Sequence, residues 1–208
     1  MIDTTRFVVF FTAALLLAAA PGPGMLYVLA RSLSGGKREG VLSAVGTFLG
    51  GMVHVVAAGA GISVVLAQSA LVFSAVKYAG AAYLCFLGVR MILEARKDDA
   101  PLVLTASARN PLWQGITTEV LNPKTALFFL SFIPQFVNHT RGHVFLQFVV
   151  LGTISVSLNT TADLIVTVLA GPLGNKIRSS ARFRRTQRTV TGVIMLGLGT
   201  YLATSESK

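Results

Sequence analysis

Six long apolar runs constrain this chain more than any other feature of its sequence. A helix needs about 20 mostly apolar residues to cross the hydrocarbon core of a membrane. The sixth run is the shortest, and we expect it to extend backward into the basic segment that precedes it. We therefore predict an all-α integral membrane protein with six transmembrane helices, at residues 7–30, 41–66, 70–93, 113–137, 144–170 and 190–203.

The composition of the chain excludes several other classes of protein. Charged residues make up only 12% of the chain and the mean hydropathy is +0.68, which excludes a disordered chain and a soluble nucleic-acid binder. The single cysteine, Cys85, excludes an intrachain disulfide. The sequence has no phosphate-binding loop and no Cys/His cluster, so we expect no enzyme, no cofactor and no metal site.

The positive charges indicate the orientation in the membrane. Thirteen of the 18 Lys and Arg residues fall on the connections after the first, third and fifth runs, counting Arg90 at the end of the third run. Cytoplasmic connections carry the excess of Lys and Arg, so we place these three inside and both termini outside. The densest basic stretch, residues 176–188, is interpreted as a topology anchor at anionic lipid; a tail that binds nucleic acid or lipid is the alternative.

Prolines interrupt the first and the fourth run. The interrupting segments are Pro21-Gly22-Pro23-Gly24 and Asn122-Pro123-Lys124. Proline has no N–H and clashes with the carbonyl four residues back, so the carbonyls of Leu17, Ala19 and Glu119 should lose their helical donors. An unsatisfied polar group in lipid costs several kcal/mol, so each break should face protein or a water-filled cavity.

Each break also carries the residues that begin a new helix. Gly22 and Asn122 can serve as N-caps, with Pro23 and Pro123 at the first helical position. The new helices would present free N–H groups and a partial positive charge to the protein interior.

The spacing of the breaks predicts an internal repeat. They lie half the chain apart and at similar depth, slightly to the cytoplasmic side of the midplane. A three-span unit that is repeated must be inverted in the membrane, as in many secondary transporters. We predict one transmembrane domain, residues 1–208, with repeats at about 1–96 and 110–208; two ordinary proline kinks are the alternative.

The fifth run carries a stripe of polar residues at i, i+4 spacing, which places them on one face of a helix. We expect this face to line the interior, either as a conduit or as polar packing between helices. Its members are Ser155, Asn159, Asp163 and Thr167.

The remaining intramembrane ionisable residues are candidates for function. Lys124 follows the start of a half-helix, where the helix dipole disfavours a cation, so we expect it to pair with Asp163, Glu119 or a substrate carboxylate. His54 lies on a stripe with Gly46 and Gly50 that permits close helix approach. It is either a packed, hydrogen-bonded histidine or a proton relay.

Lys77, near the outer end of the third run, is expected to extend its amine toward the membrane surface.

The ordered motifs of the chain resemble those of the LysE/RhtB family of amino-acid exporters over nearly its whole length. The matching residues are Pro21-Gly22-Pro23-Gly24, Gly40, Gly46, Gly50, Lys77, Gly80, Ala81, Tyr83, Leu84, Gly88, Gly115, Asn122-Pro123-Lys124 and Pro134-Gln135-Phe136. The resemblance implies efflux of amino acids or their derivatives across the bacterial inner membrane, driven by a proton or another ion gradient. The resemblance implies that the family's motif residues correspond to those of the two proline breaks, which are Pro21, Gly22, Pro23, Asn122, Pro123 and Lys124.

The hypothesis from sequence is a proton-coupled amino-acid antiporter that works by alternating access. The helix starts at Gly22-Pro23-Gly24 and Asn122-Pro123-Lys124 would hold the substrate carboxylate. Asp163 or Glu119 would hold the amine or exchange the proton, with His54 as a further ion-coupling candidate. The expected partners are a small amino acid, the coupling ion, membrane lipid and a second copy in a homodimer, and no nucleic acid. The rival is a passive channel or a lipid-handling protein.

Overall fold

The structure is a computed structural model that describes residues 4–68, 70–97, 110–138 and 142–205. Every regular element within these residues is helical. In chain order they are α1 (Thr4–Ala19), α2 (Pro23–Gln68), α3 (Ala70–Lys97), α4 (Pro111–Val120), α5 (Pro123–Leu127), a π-helical turn (Phe128–Phe132), a 3-10 turn (Ile133–Phe136), α6 (Val144–Ser179) and α7 (Ala181–Thr204). As expected, the last helix extends backward from residue 190 into the basic segment.

Among the residues that the structure describes, three helical segments are long and apolar enough to cross a membrane, namely Pro23–Gly61, Ser74–Ala95 and Val144–Gly171. Large apolar side chains cover the outside of the helices, as for Val8 on α1 and Phe86 on α3. Polar side chains such as Asp163 and Glu119 are buried inside. An apolar exterior around a polar interior suits lipid as the surrounding solvent, and the chain is an integral membrane protein of helices.

The long helix α2 reverses direction at Gly36, whose φ of 75° is outside the helical range. In a straight helix, residues eight positions apart are about 12 Å apart along the axis. Here Arg31 Nη1 lies 3.1 Å from Glu39 Oε2, and the Ser32 hydroxyl contacts the position of a Cβ on Gly40. The element therefore consists of a first arm, residues 23–35, and a second arm, residues 37–68, on either side of the turn.

Both predicted proline breaks are confirmed. Helix α1 ends at Ala19 and α2 begins at Pro23, while α4 ends at Val120 and α5 begins at Pro123. Asn122 caps α5, because its Oδ1 accepts a hydrogen bond of 3.1 Å from the main-chain N–H of Lys124.

A second irregularity in the fourth apolar run was not predicted. The chain widens into the π-helical turn Phe128–Phe132 and then tightens into the 3-10 turn Ile133–Phe136. Pro134 explains the change, because it cannot donate to the carbonyl four residues back. The N–H of Ile133 instead bonds to the carbonyl of Phe128, five residues back. Turns of this kind often mark functional sites in helices.

The glycine stripe on the second arm of α2 permits close approach of another helix, as predicted, and the structure shows that this helix is α4. A Cβ added to Gly46 would lie 2.9 Å from the Cα of Gly115. One turn further, a Cβ on Gly50 would lie 2.8 Å from the carbonyl oxygen of Ile116. Glycine is required at both positions because the opposing atoms belong to the main chain.

The other helices pack in two extensive pairs. The second arm of α2 lies along both α4 and α6, and α3 lies along α7. The α3–α7 contact is also tight, since a Cβ on Gly88 would lie 2.6 Å from the carbonyl oxygen of Gly192, and the reverse distance is the same. The two broken segments meet between these pairs.

Lys77 is buried against the end of α7. Its side chain is only 2% exposed, and its amine donates to the carbonyl of Ser205, just past the end of α7. The last carbonyls of a helix lack helical donors and attract a cation. The expectation from sequence considered only the helix that carries Lys77 and did not include this contact with α7.

The tight α2–α4 contact predicts a difference between two glycine substitutions on one helix. Gly46→Ala should lower the unfolding temperature, because its methyl group meets main-chain atoms of α4 and overpacking costs about 1–3 kcal/mol. Gly61→Ala is the control, since no atom lies within 4 Å of its Cβ position. Thermal unfolding in detergent measures both, and equal unfolding temperatures would contradict the predicted contact.

Candidate functional site

The two proline breaks face each other in the interior. A Cβ on Gly22 would lie 3.2 Å from the Lys124 amine, and a Cβ on Gly24 would lie 2.5 Å from Glu119 Oε2. The glycines of the first break therefore leave room for the charged side chains of the second. Tertiary folding thus brings together two groups of predicted site residues that lie half the chain apart.

The buried Lys124 amine binds the end of α1. It donates hydrogen bonds of 3.0 Å to the carbonyl of Leu17 and 2.7 Å to the carbonyl of Ala20. Pro21 removes the helical donor of Leu17, as predicted from the sequence. The second acceptor is Ala20, one residue beyond the predicted Ala19.

The expected pairing of Lys124 with an acid is not the arrangement found. Among the described residues, no carboxylate oxygen lies within ion-pairing distance of its amine. The sequence argument considered only charged partners. The carbonyls at the end of a helix carry the partial negative charge that a cation requires, and they lie closer.

The other carbonyls at the breaks also receive donors from distant helices. Thr191 on α7 donates to the carbonyl of Pro21 over 3.3 Å. His54 on α2 lies with its Nε2 3.0 Å from the carbonyl of Glu119, the one that Pro123 deprives of its helical donor. Because a carbonyl only accepts, this contact assigns the proton to Nε2. His54 also stacks on Phe129, with ring centroids 6.1 Å apart.

The Glu119 carboxylate is buried and has a donor on each oxygen. Thr125 donates its hydroxyl to Oε1 over 2.6 Å, and the Asn122 amide donates to Oε2 over 3.1 Å. Asn122 therefore serves two purposes, because its other amide atom caps α5. The sequence pattern did not identify Thr125, which lies six residues from its partner and across the break.

Asp163 is fully buried on α6. Its Oδ2 lies 2.9 Å from the Thr47 hydroxyl, and its Oδ1 has no hydrogen-bond partner among the described residues. Thr47 Oγ1 also lies 2.9 Å from the carbonyl of Ala44. The sequence did not single out Thr47, although it adjoins Gly46 on the stripe that contacts α4.

The polar stripe of α6 faces the interior, as expected. Ser155 and Asn159 line a small cavity beside Glu119. Thr167 donates to the carbonyl of Asp163 over 2.9 Å, and its hydroxyl oxygen lies 3.2 Å from that of Ser32. The stripe thus contacts both arms of α2.

Two cavities lie on either side of Lys124. The larger has a volume of about 290 Å³ and the smaller about 20 Å³, which is room for one water molecule. Lys124 lines both cavities and separates them. The larger is lined by Pro21, Gly22, Pro23, Leu26, Leu87, Arg90, Met91, Glu94, Asn122, Pro123, Lys124, Arg188, Thr191 and Met195.

The walls of the larger cavity combine apolar side chains with the cations Lys124 and Arg188 and with one ion pair. Arg90 Nε lies 2.7 Å from Glu94 Oε1, and both side chains are exposed, so the cavity reaches solvent at their end. These residues were not predicted as site residues. The i, i+4 spacing of the pair indicated only a shared helix face, and nothing in it pointed toward the breaks.

The contact of His54 predicts that its role in stability depends on an N–H donor. His54→Leu removes one of the two donors of the Glu119 carbonyl and leaves the N–H of Asn122, 3.0 Å away; the loss of one hydrogen bond, worth about 0.5–1.5 kcal/mol, should lower the unfolding temperature. His54→Gln retains an N–H donor, so its unfolding temperature should lie closer to that of the unaltered protein. Equal unfolding temperatures for the two variants would show that the hydrogen bond contributes nothing.

Comparison with known proteins identifies the family. Residues 15–206 match the family described as LysE type translocator. An uncharacterised membrane protein of Vibrio cholerae is 32% identical over 210 residues, covering 99% of this chain and 100% of its own length. A leucine efflux protein of Salmonella typhimurium is 26% identical over 201 residues, covering 95% and 94%. No solved structure matches. The resemblance inferred from sequence is confirmed, and the chain belongs to the LysE type translocator family.

Proposed function

We propose that this protein is a secondary active exporter that moves amino acids across the bacterial inner membrane in exchange for protons. The proposal rests on one observation: the two broken helices meet at a cavity, next to the buried carboxylates of Glu119 and Asp163. Broken helices that meet near the midplane are the usual substrate site of secondary transporters. Membership of a translocator family and the likeness to leucine efflux proteins support the same function.

The packing supports an inverted repeat with boundaries at about 1–96 and 110–208. Under this division α3 corresponds to α7, and the second arm of α2 corresponds to α6. Both pairs of corresponding helices lie against each other, and the two broken segments meet between them. Such pairing is expected of two halves related by an axis in the membrane plane, and rocking of one half against the other would alternate access.

The larger cavity favours a neutral amino acid with an apolar side chain. Leu26, Leu87, Met91 and Met195 supply apolar walls. The charges of Arg90 and Glu94 compensate each other in their ion pair. The substrate carboxylate would lie at the start of α2, where Gly22-Pro23-Gly24 presents free N–H groups. The leucine efflux proteins among the relatives agree with this substrate class.

Asp163 is the best candidate for the proton site. An ionised carboxylate that is buried with an unpartnered oxygen is costly. A protonated Asp163 could donate to Thr47, while Thr47 donates to the carbonyl of Ala44, and both 2.9 Å contacts would then be satisfied. Thr47 has only one hydroxyl proton, so it cannot donate both of these hydrogen bonds. Protonation therefore fits the observed geometry.

The arrangement favours a carrier that faces the cytoplasm over an open channel. The larger cavity lies at the end of α3 that leads into a basic connection, which we assign to the cytoplasm, with both termini in the periplasm. Beyond the site, buried aromatic rings fill the opposite half. They form an aromatic cluster of Phe10, Phe128, Phe132 and Phe136, with neighbouring centroids 5.0–5.5 Å apart. Opening to the outside would require this cluster to separate.

Reconstituted vesicles test the proposal. Under an imposed pH gradient the purified protein should move leucine, isoleucine and methionine with saturable kinetics, and these should compete with one another. Lysine and glutamate should compete poorly, because Leu26, Leu87, Met91 and Met195 would face their charged side chains and burial of a charge against apolar groups is costly. Absence of any amino-acid flux would refute the exporter, and ohmic current or lipid scrambling would favour a channel or a lipid-handling protein.

Substitution of Asp163 tests the coupling. Asp163→Asn keeps the size and the contact with Thr47 but cannot release a proton, so gradient-driven transport should fall to background while the protein remains folded and monodisperse. Glu39→Gln is the matched control, because it removes a carboxylate that pairs with Arg31 outside the site. Gradient-driven transport at the unaltered rate in Asp163→Asn would remove Asp163 from the mechanism.

A further inference from the structure

We infer that the carbonyls of Leu17 and Ala20 form the subsite for the substrate's primary ammonium group, and that Lys124 occupies this subsite when no substrate is bound. The inference rests on the proposed function and deepens it. It moves the substrate amine from the acids Asp163 and Glu119, where the sequence suggested it, to the main chain of the first break.

The chemistry of these carbonyls suits an ammonium group. They lie at the carboxyl end of α1, a helix of 16 residues, where the helix dipole places partial negative charge. Both accept hydrogen bonds from an alkylammonium in the present structure, since the Lys124 amine lies 3.0 Å from the first oxygen and 2.7 Å from the second. A substrate ammonium has the same charge and the same three donors.

The first break places opposite helix ends side by side. Helix α1 ends at Ala19 and α2 begins at Pro23, so acceptor carbonyls and donor N–H groups lie within a few residues of each other. A zwitterionic amino acid carries its ammonium and its carboxylate on one carbon. One break can therefore bind both groups, the ammonium at the end of α1 and the carboxylate at the start of α2.

The subsite adjoins the larger cavity. Pro21 and Gly22 line that cavity, and Lys124 lies between it and the smaller one. A ligand that enters the larger cavity thus meets Lys124 at the carbonyls and must displace its amine. The smaller cavity offers the displaced amine a destination, because Glu119 and Asn159 line it together with Lys124.

Gly22 is part of the same arrangement. A Cβ at this position would lie 3.2 Å from both Cδ and Nζ of Lys124. The absence of a side chain gives the lysine its path along the break, and it would give a substrate ammonium the same path after displacement.

Chemical rescue of a lysine variant tests the inference. Lys124→Ala removes the side-chain donor of both carbonyls and leaves the Leu17 carbonyl with only the 3.2 Å contact from the N–H of Ala20, so the variant should unfold at a lower temperature than the unaltered protein. Ethylammonium should raise the unfolding temperature in proportion to the logarithm of its concentration once it exceeds its dissociation constant, by roughly 4 °C at ten times that constant. Tetramethylammonium has the same charge but no N–H, and should have no such effect at equal concentration. In the unaltered protein the Lys124 amine fills the subsite, so neither ethylammonium nor tetramethylammonium should change the unfolding temperature.

Controls separate the subsite from a general effect of charge. Lys37→Ala removes an exposed cation close to Gly36 and should show no rescue by ethylammonium. If Lys124→Ala does not fold, Lys124→Met retains the apolar stem and receives the same titration. Equal responses to the two cations, or no response in a folded variant, would overturn the inference.

A second measurement uses the unaltered protein. Leucine should raise its unfolding temperature, whereas the analogue with a hydroxyl in place of the amine should not, because it lacks the cation that displaces Lys124. Equal stabilisation by both compounds would contradict the subsite. These readouts do not depend on transport: leucine flux without rescue refutes only the subsite, and rescue without amino-acid flux refutes only the exporter.

Discussion

Main-chain carbonyls that lose their helical donors to proline must find new donors inside the protein, and the rest of this structure depends on that requirement. In an apolar surrounding each unsatisfied carbonyl costs several kcal/mol. The first break receives Lys124 and Thr191, and the second receives His54. These side-chain donors come from other helices, and they add to the local main-chain donors Ala20 and Asn122. The breaks therefore act as the points at which separate parts of the chain are joined.

The same requirement explains the distribution of glycine. A donor can reach a carbonyl at a break only where the opposing main chain carries no side chain. Gly22 and Gly24 make this space for Lys124 and Glu119, and Gly50 lets α4 approach closely enough for His54, one turn further along, to reach the carbonyl of Glu119. Small residues at helix contacts are the common means of close approach in membranes. Here they also position charged groups beside a cavity.

Much of this architecture could be predicted because its causes are local. The lack of an N–H in proline is a property of one residue, so the breaks, the Asn122 cap and the released carbonyls of Leu17 and Glu119 follow from sequence alone. The i, i+4 stripe with Asp163 likewise follows from helix geometry. The partner of Lys124 was predicted wrongly, and no partner was predicted for Lys77. Each amine binds the end of a different helix, and a sequence does not show which helix ends come close in space.

The sequence by itself determined that the chain is a helical membrane protein of the LysE type, broken at two matched prolines, with a few ionisable residues inside. Apolar length and proline chemistry decide these properties without reference to the fold. Only the tertiary structure decided that the two breaks meet, that Lys124 lies between two cavities, and that Thr47, Thr125 and the Arg90–Glu94 pair belong to the site. These relations join residues far apart in the chain, and packing between helices creates them.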